Sequence, residues 1–517
     1  MYRDIQRRLR AISSHGAGSL LPTGKKGLEK ESLRVSMQGN IATTPHPSTL
    51  GRALTHPYIT TDYSEALLEL ITPPCTDNES VIDFLCNTHR FVYRSLKNEL
   101  LWGASMPCVV AGDASVPIAD YGSSNSGMMR HIYRRGLAHR YGRVMQVISG
   151  VHYNYSAPMD LWPLLQEIDS APASAPGQVS ERYLGLVRNV LRYTWLLVYL
   201  FGSSPALCRS FLGENVDRFQ KFDDSTRYEP FATSLRMSDI GYTNKAQTSL
   251  NVRYDSLDDY VHSLTRAIET LHEPYRDIGV RVDGEYRQLN ANILQIENEF
   301  YSPVRPKQLT MRGEKPTVAL CTRGVAYVEV RSLDVNPFSP CGIDVEQMAF
   351  MEAFMLFCLL HQSAPLSDKE RISVDENMSL AAYRGREPGL RLADGEREVP
   401  LEAWGLEVLE QIGAVAELLG GSAPAAVRTM VERVKIPDTT PSARLLDGMR
   451  AQGQGFYHFA MGLSQSHRDA FAQAEIEAAE YAQQRAWVDT SIEDQDELER
   501  TDDVSFDEYL ERYFAGA

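Results

Sequence analysis

Two glutamates separated by one residue are the first sign of chemistry in this chain. In Gly27-Leu28-Glu29-Lys30-Glu31-Ser32-Leu33-Arg34-Val35, a period of two places Glu29 and Glu31 on the side that carries Leu33 and Val35. A second segment, Glu65–Thr72, puts Glu65 and Glu69 on one face with Leu67 and Ile71, and Asp62 precedes it. In Val325–Leu333, Tyr327, Glu329 and Arg331 project from the face opposite Ala326, Val328 and Val330. In Gln146–Asn154, Gln146, His152 and Asn154 share a side away from Val147, Val151 and Tyr153. Any one of these residues alone reads as solvent-facing or ion-paired. Four such segments in one chain predict an acid-rich sheet face. Carboxylates gathered there repel one another unless cations neutralise them. Carboxylate oxygens with one imidazole and no thiolate suit Mg²⁺ or Mn²⁺. Mg²⁺ held by carboxylates that also bridge substrate phosphates is the usual arrangement for ATP-driven chemistry. Arg331 beside Glu329, and Arg236 elsewhere, have the planar fork that clamps phosphate or carboxylate bidentately.

The elements that must position these side chains are short alternating strands interleaved with long helices. Strand-like segments are expected at Leu28–Val35, Ala66–Thr72, Val144–Ser156, Ile293–Tyr301 and Val325–Leu333. Val81, Phe84, Leu85, Val92 and Leu96 recur at helical spacing, with Asn78 and Glu79 as cap candidates. Further helices are expected over Glu181–Phe201, ended by Gly202-Ser203-Ser204-Pro205, and over Asp344–His361, which is apolar all round and therefore buried. Ile5, Leu9 and Ile12 fit an amphipathic first helix. Strands separated by long helical excursions, with tight turns such as Asp283-Gly284, predict an α+β protein with a mostly antiparallel sheet flanked by helices. After about residue 395 the period is helical: Leu401–Leu419, Ala425–Val434 and the run from His467. The expected division is a catalytic region over 1–395 and a helical region over 396–517, packed on the same domain and ending in a partly solvated acidic tail, Thr490–Tyr513.

Composition narrows the function classes. Across 517 residues, 52 Lys and Arg stand against 68 Asp and Glu, a net charge of -16, which repels nucleic-acid phosphates. The 43% hydrophobic and 23% charged content is that of a soluble globular chain. The start has no apolar signal region, and the most lipophilic stretch, Tyr193–Phe201, is far short of the roughly 20 residues a membrane span needs. Seven scattered cysteines without a C-x-x-C argue against a disulfide framework and a zinc knuckle, and for a reducing cytosol. Gly18–Lys25 fails as a phosphate loop: five residues separate its glycines, and Lys26 stands where Ser or Thr should bind Mg²⁺. G-x-G-x-x-G, G-x-S-x-G and H-E-x-x-H are absent, and no internal repeat is found.

At these residues the chain resembles the bacterial glutamate–cysteine ligases of type 1. The matching stretches are 27–35, Ile59–Glu69, Ile148–Asn154, Ala232–Asp239, Leu294–Glu299 and Tyr327–Phe338, with a looser match at Thr440–Arg444. The resemblance implies a glutamine-synthetase-like sheet and ATP-dependent ligation of the γ-carboxylate of L-glutamate to the amine of L-cysteine. The route is a γ-glutamyl phosphate, and the reaction opens glutathione biosynthesis. It implies Glu29, Glu31, Asp62, Glu69, His152 and Glu329 as Mg²⁺ ligands, Arg331 as a phosphate contact and Arg236 as a glutamate-carboxylate contact. By the same resemblance Glu29, Glu329, Arg236 and Arg331 are expected to carry the catalysis. The resemblance further implies Tyr63, Tyr133, Tyr242 and Tyr301 as the cysteine pocket, with Gln146 and Asn154 as further substrate contacts. Position 63, where the family often has Phe, is Tyr here. The expected partners are small molecules only, handled in the cytoplasm by a monomer or weak oligomer. A related carboxylate–amine ligase with another acceptor would carry the same metal motifs.

Overall fold

A computed structural model describes residues 2–170, 177–241 and 250–515. Its centre is a seven-stranded sheet made of β1 (Lys25–Ser36), β2 (Ile59–Thr61), β3 (Leu67–Ile71), β4 (Glu99–Leu101), β5 (Gly150–Ser156), β6 (Val304–Lys307) and β7 (Tyr327–Asp334). The order is β6-β7-β5-β1-β3-β2, with β4 pairing the far end of β1. Every pairing is antiparallel. The helices that matter below are α1 (Arg3–Ser14), α2 (Asn78–Ser95), α3 (Asn125–Tyr141), α4 (Gln178–Phe201), α5 (Val345–Leu360), α6 (Leu401–Leu419), α7 (Ala423–Lys435), α8 (Ala478–Thr501) and α9 (Phe506–Ala515). The α+β class and the antiparallel sheet expected from the sequence are the observed architecture.

The sheet has two unlike faces. One packs Leu28, Leu68, Leu70, Val151, Tyr153, Val328 and Val330 into a single core with α4, α5, α6 and α7. Burial of this apolar surface is the main stabilising term. α5 is buried from Gln347 to Leu360, as its all-round apolar pattern requires. Period two also sends Lys26 to this side, and Glu352 of α5 neutralises it at 2.7 Å. The other face carries the acids.

Some expectations need correction. Asp77, not Asn78 or Glu79, caps α2, accepting the Ser80 N–H at 2.7 Å. Val144–Val147 is a 3-10 turn, so Gln146 lies outside β5. The Asp113 carboxylate takes the N–H groups of Arg143 and Val144 at 2.9 and 3.2 Å, which fixes the turn before the strand can start. Ile293–Tyr301 is no strand; it holds a 3-10 turn at Glu297–Glu299. There the Glu299 carboxylate accepts the Gln295 N–H at 2.7 Å and pairs with Arg140 at 2.9 Å, so backbone groups that would join a ladder are satisfied locally. The cysteines are not all free. Cys86 bonds Cys341 and Cys108 bonds Cys208, with Cα separations of 5.9 and 5.4 Å. Partners 255 and 100 residues apart in sequence leave no spacing signal, and cysteine usage no longer speaks for a reducing compartment. Among the described residues no helix is long and apolar enough to cross a membrane.

Candidate active site

Strand register assembles the acidic face. Glu31 of β1 stands opposite Glu69 of β3, and Glu29 of β1 opposite His152 of β5. Asn154 of β5 faces Glu329 of β7, which faces Arg305 of β6. Cross-strand neighbours sit about 5 Å apart, so pairing alone brings the groups together. Two sets result: Glu29, His152 and Glu329; and Glu31, Glu69 and His152, each with ligand atoms within 4.8 Å of one another. His152 belongs to both. Its Nδ1 lies 3.1 Å from Glu29 Oε2 and its Nε2 3.6 Å from Glu31 Oε1. Asn154 Nδ2 donates to Glu29 Oε1 at 3.0 Å, which orients that carboxylate. The Gly150 N–H donates to Glu31 Oε2 at 2.5 Å.

The electrostatics are those of crowded acids. Burial, then the charges of Glu29, Asp62 and Glu31, hold the Glu69 carboxyl well above the usual range. Burial also raises Glu31, against the pull of His152. At Glu29 the cost of burial is outweighed, chiefly by the His152 hydrogen bond, and its carboxyl is lowered. Burial likewise opposes ionisation of Glu329, but Lys307 and Arg331 more than offset it and hold it well below the usual range. Lys307 Nζ and Arg331 Nη1 lie 3.2 and 3.1 Å from the two Glu329 oxygens. Five acids on one face with a raised Glu69 are short of positive charge. The oxygen-rich donor set with one imidazole fits a hard divalent cation, which no soft-ligand metal would choose.

Glu29, Glu69 and Glu329 floor a cavity of about 660 Å³, lined also by Asp62, Tyr63, Tyr133 and Arg331. Tyr63 is buried and its hydroxyl has no hydrogen-bond partner among the described residues. Asp62 lies beside both ligand sets without joining either. Glu31 and Asn154 are bonded to lining residues but do not line the cavity themselves, and Gln146 is outside the lining. Arg236 sits against β7, donating to the Arg331 carbonyl at 2.9 Å with Asp334 at 3.7 Å. Its guanidinium lies over Gly150, where a Cβ would come within 2.0 Å of Nη2, so only glycine fits there. Tyr301 stands by Met237, 3.6 Å from its sulfur, also outside the lining. Tyr242 lies outside the described residues. Glu65 is structural: its carboxylate takes the His46 and Asp120 N–H groups at 2.7 and 2.9 Å.

The sequence reading missed the basic wall. Arg130 and Arg134 of α3, Arg305 and Lys307 of β6, and Arg312 line the same cavity. The i, i+4 spacing of Arg130 and Arg134, flanking Tyr133, and the i, i+2 spacing of Arg305 and Lys307 were the available signals. Tyr509 and Tyr513 of α9, in the tail expected to be partly solvated, also line it.

Such a cleft, acids on a sheet floor under a cationic wall, is one built for phosphorylated and carboxylated small molecules. The glutamate–cysteine ligase family matches residues 9–381. The glutamate–cysteine ligase of Alcanivorax borkumensis is 47% identical over 99% of both chains. That of Pseudomonas aeruginosa is 46% identical over 99% of this chain and 98% of its own. The crystal structure of the Francisella tularensis glutamate–cysteine ligase in complex with AMP superposes with a TM-score of 0.91 at 37% identity, covering 95% of this chain and 98% of that one. The crystal structure of a bifunctional glutathione synthetase from Pasteurella multocida gives 0.71 at 28% identity, over 90% of this chain and 55% of that one. This chain belongs to the glutamate–cysteine ligase family. Its reaction is the ligation of glutamate to cysteine, within glutathione biosynthesis.

Proposed function

We propose that ATP drives this ligation, that the acidic face holds Mg²⁺, and that the reaction passes through γ-glutamyl phosphate. The γ-carboxylate of glutamate takes the γ-phosphoryl group of ATP. The amine of cysteine then attacks the γ-carbonyl carbon, the bond to phosphate breaks, and γ-glutamylcysteine, ADP and phosphate leave. One observation carries the reading: strand register gathers Glu29, Glu31, Glu69, His152 and Glu329 into two three-ligand sets that share an imidazole. The AMP complex of the Francisella relative supports an adenine nucleotide as co-substrate.

Glu29, His152 and Glu329 on one side, and Glu31, Glu69 and His152 on the other, would hold the ions, with Asp62 at their margin. Bound there, Mg²⁺ would neutralise the triphosphate and the charge that develops on the transferred phosphoryl group. Lys307 and Arg331 are held on Glu329 at 3.2 and 3.1 Å and present their remaining donors to phosphate oxygens. Arg236, fixed by the Arg331 carbonyl, meets the glutamate carboxylate, and Gln146 and Asn154 support the bound substrate. Tyr63, Tyr133 and Tyr301 would surround the cysteine side chain. No side-chain nucleophile is required. An acyl phosphate hydrolyses in open water, so the cleft must close around it. All these groups come from one chain, which supports a monomer or weak oligomer, and dependence on ATP supports a cytoplasmic enzyme.

The test replaces cysteine with hydroxylamine. With ATP, Mg²⁺ and glutamate, γ-glutamyl hydroxamate and ADP should form in equal amounts. ADP without hydroxamate would refute the acyl phosphate.

A further inference from the structure

The last helix of the chain is built into the wall of the cleft. Tyr509 and Tyr513 of α9 line the same cavity as Glu29, Glu69 and Glu329. Phe506, Tyr509, Leu510, Tyr513 and Phe514 repeat at i, i+3, i+4, i+7 and i+8, the stripe of a docking helix. They pack on Met129 and Ile132 of α3 and on Leu289. Both ends are tied down. Before the helix, the Asn125 N–H donates to the Asp502 carboxylate and Asn125 Nδ2 donates to the Val504 carbonyl at 3.0 Å. At its end, Lys315 Nζ donates to the Phe514 carbonyl at 2.7 Å. Lys315 directly follows Thr310–Glu314, which forms another wall of the cavity. α9 therefore bridges two walls across the cleft, and it turns two of its rings inward.

We propose that α9 is a water-excluding wall of the active site, in which Tyr509 and Tyr513 keep solvent from γ-glutamyl phosphate until the cysteine amine attacks. This rests on the acyl-phosphate reading above. With the wall open, water attacks the γ-carbonyl carbon in place of the amine. The carbon–oxygen bond to phosphate breaks, phosphate leaves, the glutamate carboxylate is regenerated and a proton is released. ATP is then spent without an amide. The rings act by filling space, so their hydroxyls are dispensable to this role.

The experiment measures phosphate released per γ-glutamylcysteine formed in the full chain, in the double variant Tyr509→Ala/Tyr513→Ala, and in Tyr509→Phe/Tyr513→Phe. Leu510→Asp, which detaches the helix from Ile132 and Leu289, is a second route to the open state. Thermal unfolding of each variant establishes that it is folded. The full chain and the Phe variant should stay near one phosphate per amide. The Ala variant and Leu510→Asp should rise about tenfold, with glutamate-dependent phosphate release in the absence of cysteine. A ratio that stays near one in both open variants overturns the proposal. So does a parallel loss of phosphate and amide in folded protein, which would mark a binding role instead. Hydroxamate formation by the full chain reports on the acyl phosphate separately, so the two failures are distinguishable.

Discussion

Glu31 and Glu69 face each other directly across β1 and β3, two acids in register on adjacent strands. Like charges at that position destabilise a sheet, by about 0.2–1 kcal/mol when exposed and by more as water is removed. On the Mg²⁺ reading proposed above, a bound cation offsets this repulsion.

Glu69→Gln should therefore stabilise the protein in the absence of divalent ions while abolishing turnover. The expected gain is about 0.5–1 kcal/mol by urea denaturation in EDTA. Adding Mg²⁺ should stabilise the parent more than the variant. A variant less stable than its parent in EDTA would show that Glu69 has a protein partner rather than a cation.

Glu329 joins a ligand set to two cations, Lys307 at 3.2 Å and Arg331 at 3.1 Å. Glu329→Gln releases both cations as well as removing a ligand. kcat should fall by about 10²–10³. Glu29→Gln, which removes a ligand but leaves Lys307 and Arg331 in place, should lose Mg²⁺ affinity with less effect on ATP binding. Steady-state kinetics at several Mg²⁺ concentrations separate the two patterns.

The proposed cysteine pocket has little with which to demand a sulfur, since a thiol is a weak hydrogen-bonding group. 2-Aminobutyrate should lose only about 10–200-fold in kcat/KM. Serine should do worse, because its hydroxyl sheds more water than a thiol on entering the site. The Tyr63 hydroxyl is buried without a partner, so Tyr63→Phe should keep kcat/KM for cysteine within about threefold. Serine matching cysteine would overturn the aromatic-pocket account.

Stability should fall in mild acid. Burial pushes the His56 and His361 rings down to about 4, and burial with nearby Arg34 pushes His46 down to about 3. His56 Nδ1 accepts the N–H groups of Tyr58 and Ile59 at 3.1 and 2.9 Å, which requires the ring to stay neutral. Between pH 6.5 and about 4 the unfolded chain binds protons that the folded chain refuses. Stability therefore rises with pH through that window and is fully present above it. Urea midpoints at pH 5 and 7 should differ accordingly, and His56→Asn, whose amide oxygen still accepts, should shrink the difference.

The acidic floor was legible because period two along β1, β3, β5 and β7 reveals which side a carboxylate takes. Lys307 was not, because β6 is only Val304–Lys307 and holds Pro306, which reads as a break in the strand. Pro306 is tolerated because β6 is an edge strand, whose outer side needs no ladder hydrogen bond. Gln146 was assigned to a strand because its alternation with Val147 looks the same in a turn fixed by a distant carboxylate, Asp113. The acids around α9 concealed its aromatic stripe, and neither disulfide has a local spacing to betray it.

Cation binding by the folded, substrate-free chain tests the central claim most directly. Mn²⁺ titration followed by electron paramagnetic resonance should detect bound ion in the parent. It should also show coupling to the His152 imidazole nitrogen. His152→Ala should abolish that coupling, and Glu29→Gln and Glu69→Gln should each weaken binding at least about tenfold. Parent and variants binding Mn²⁺ alike, or no nitrogen coupling in the parent, would contradict the assignment of this sheet face as the metal site.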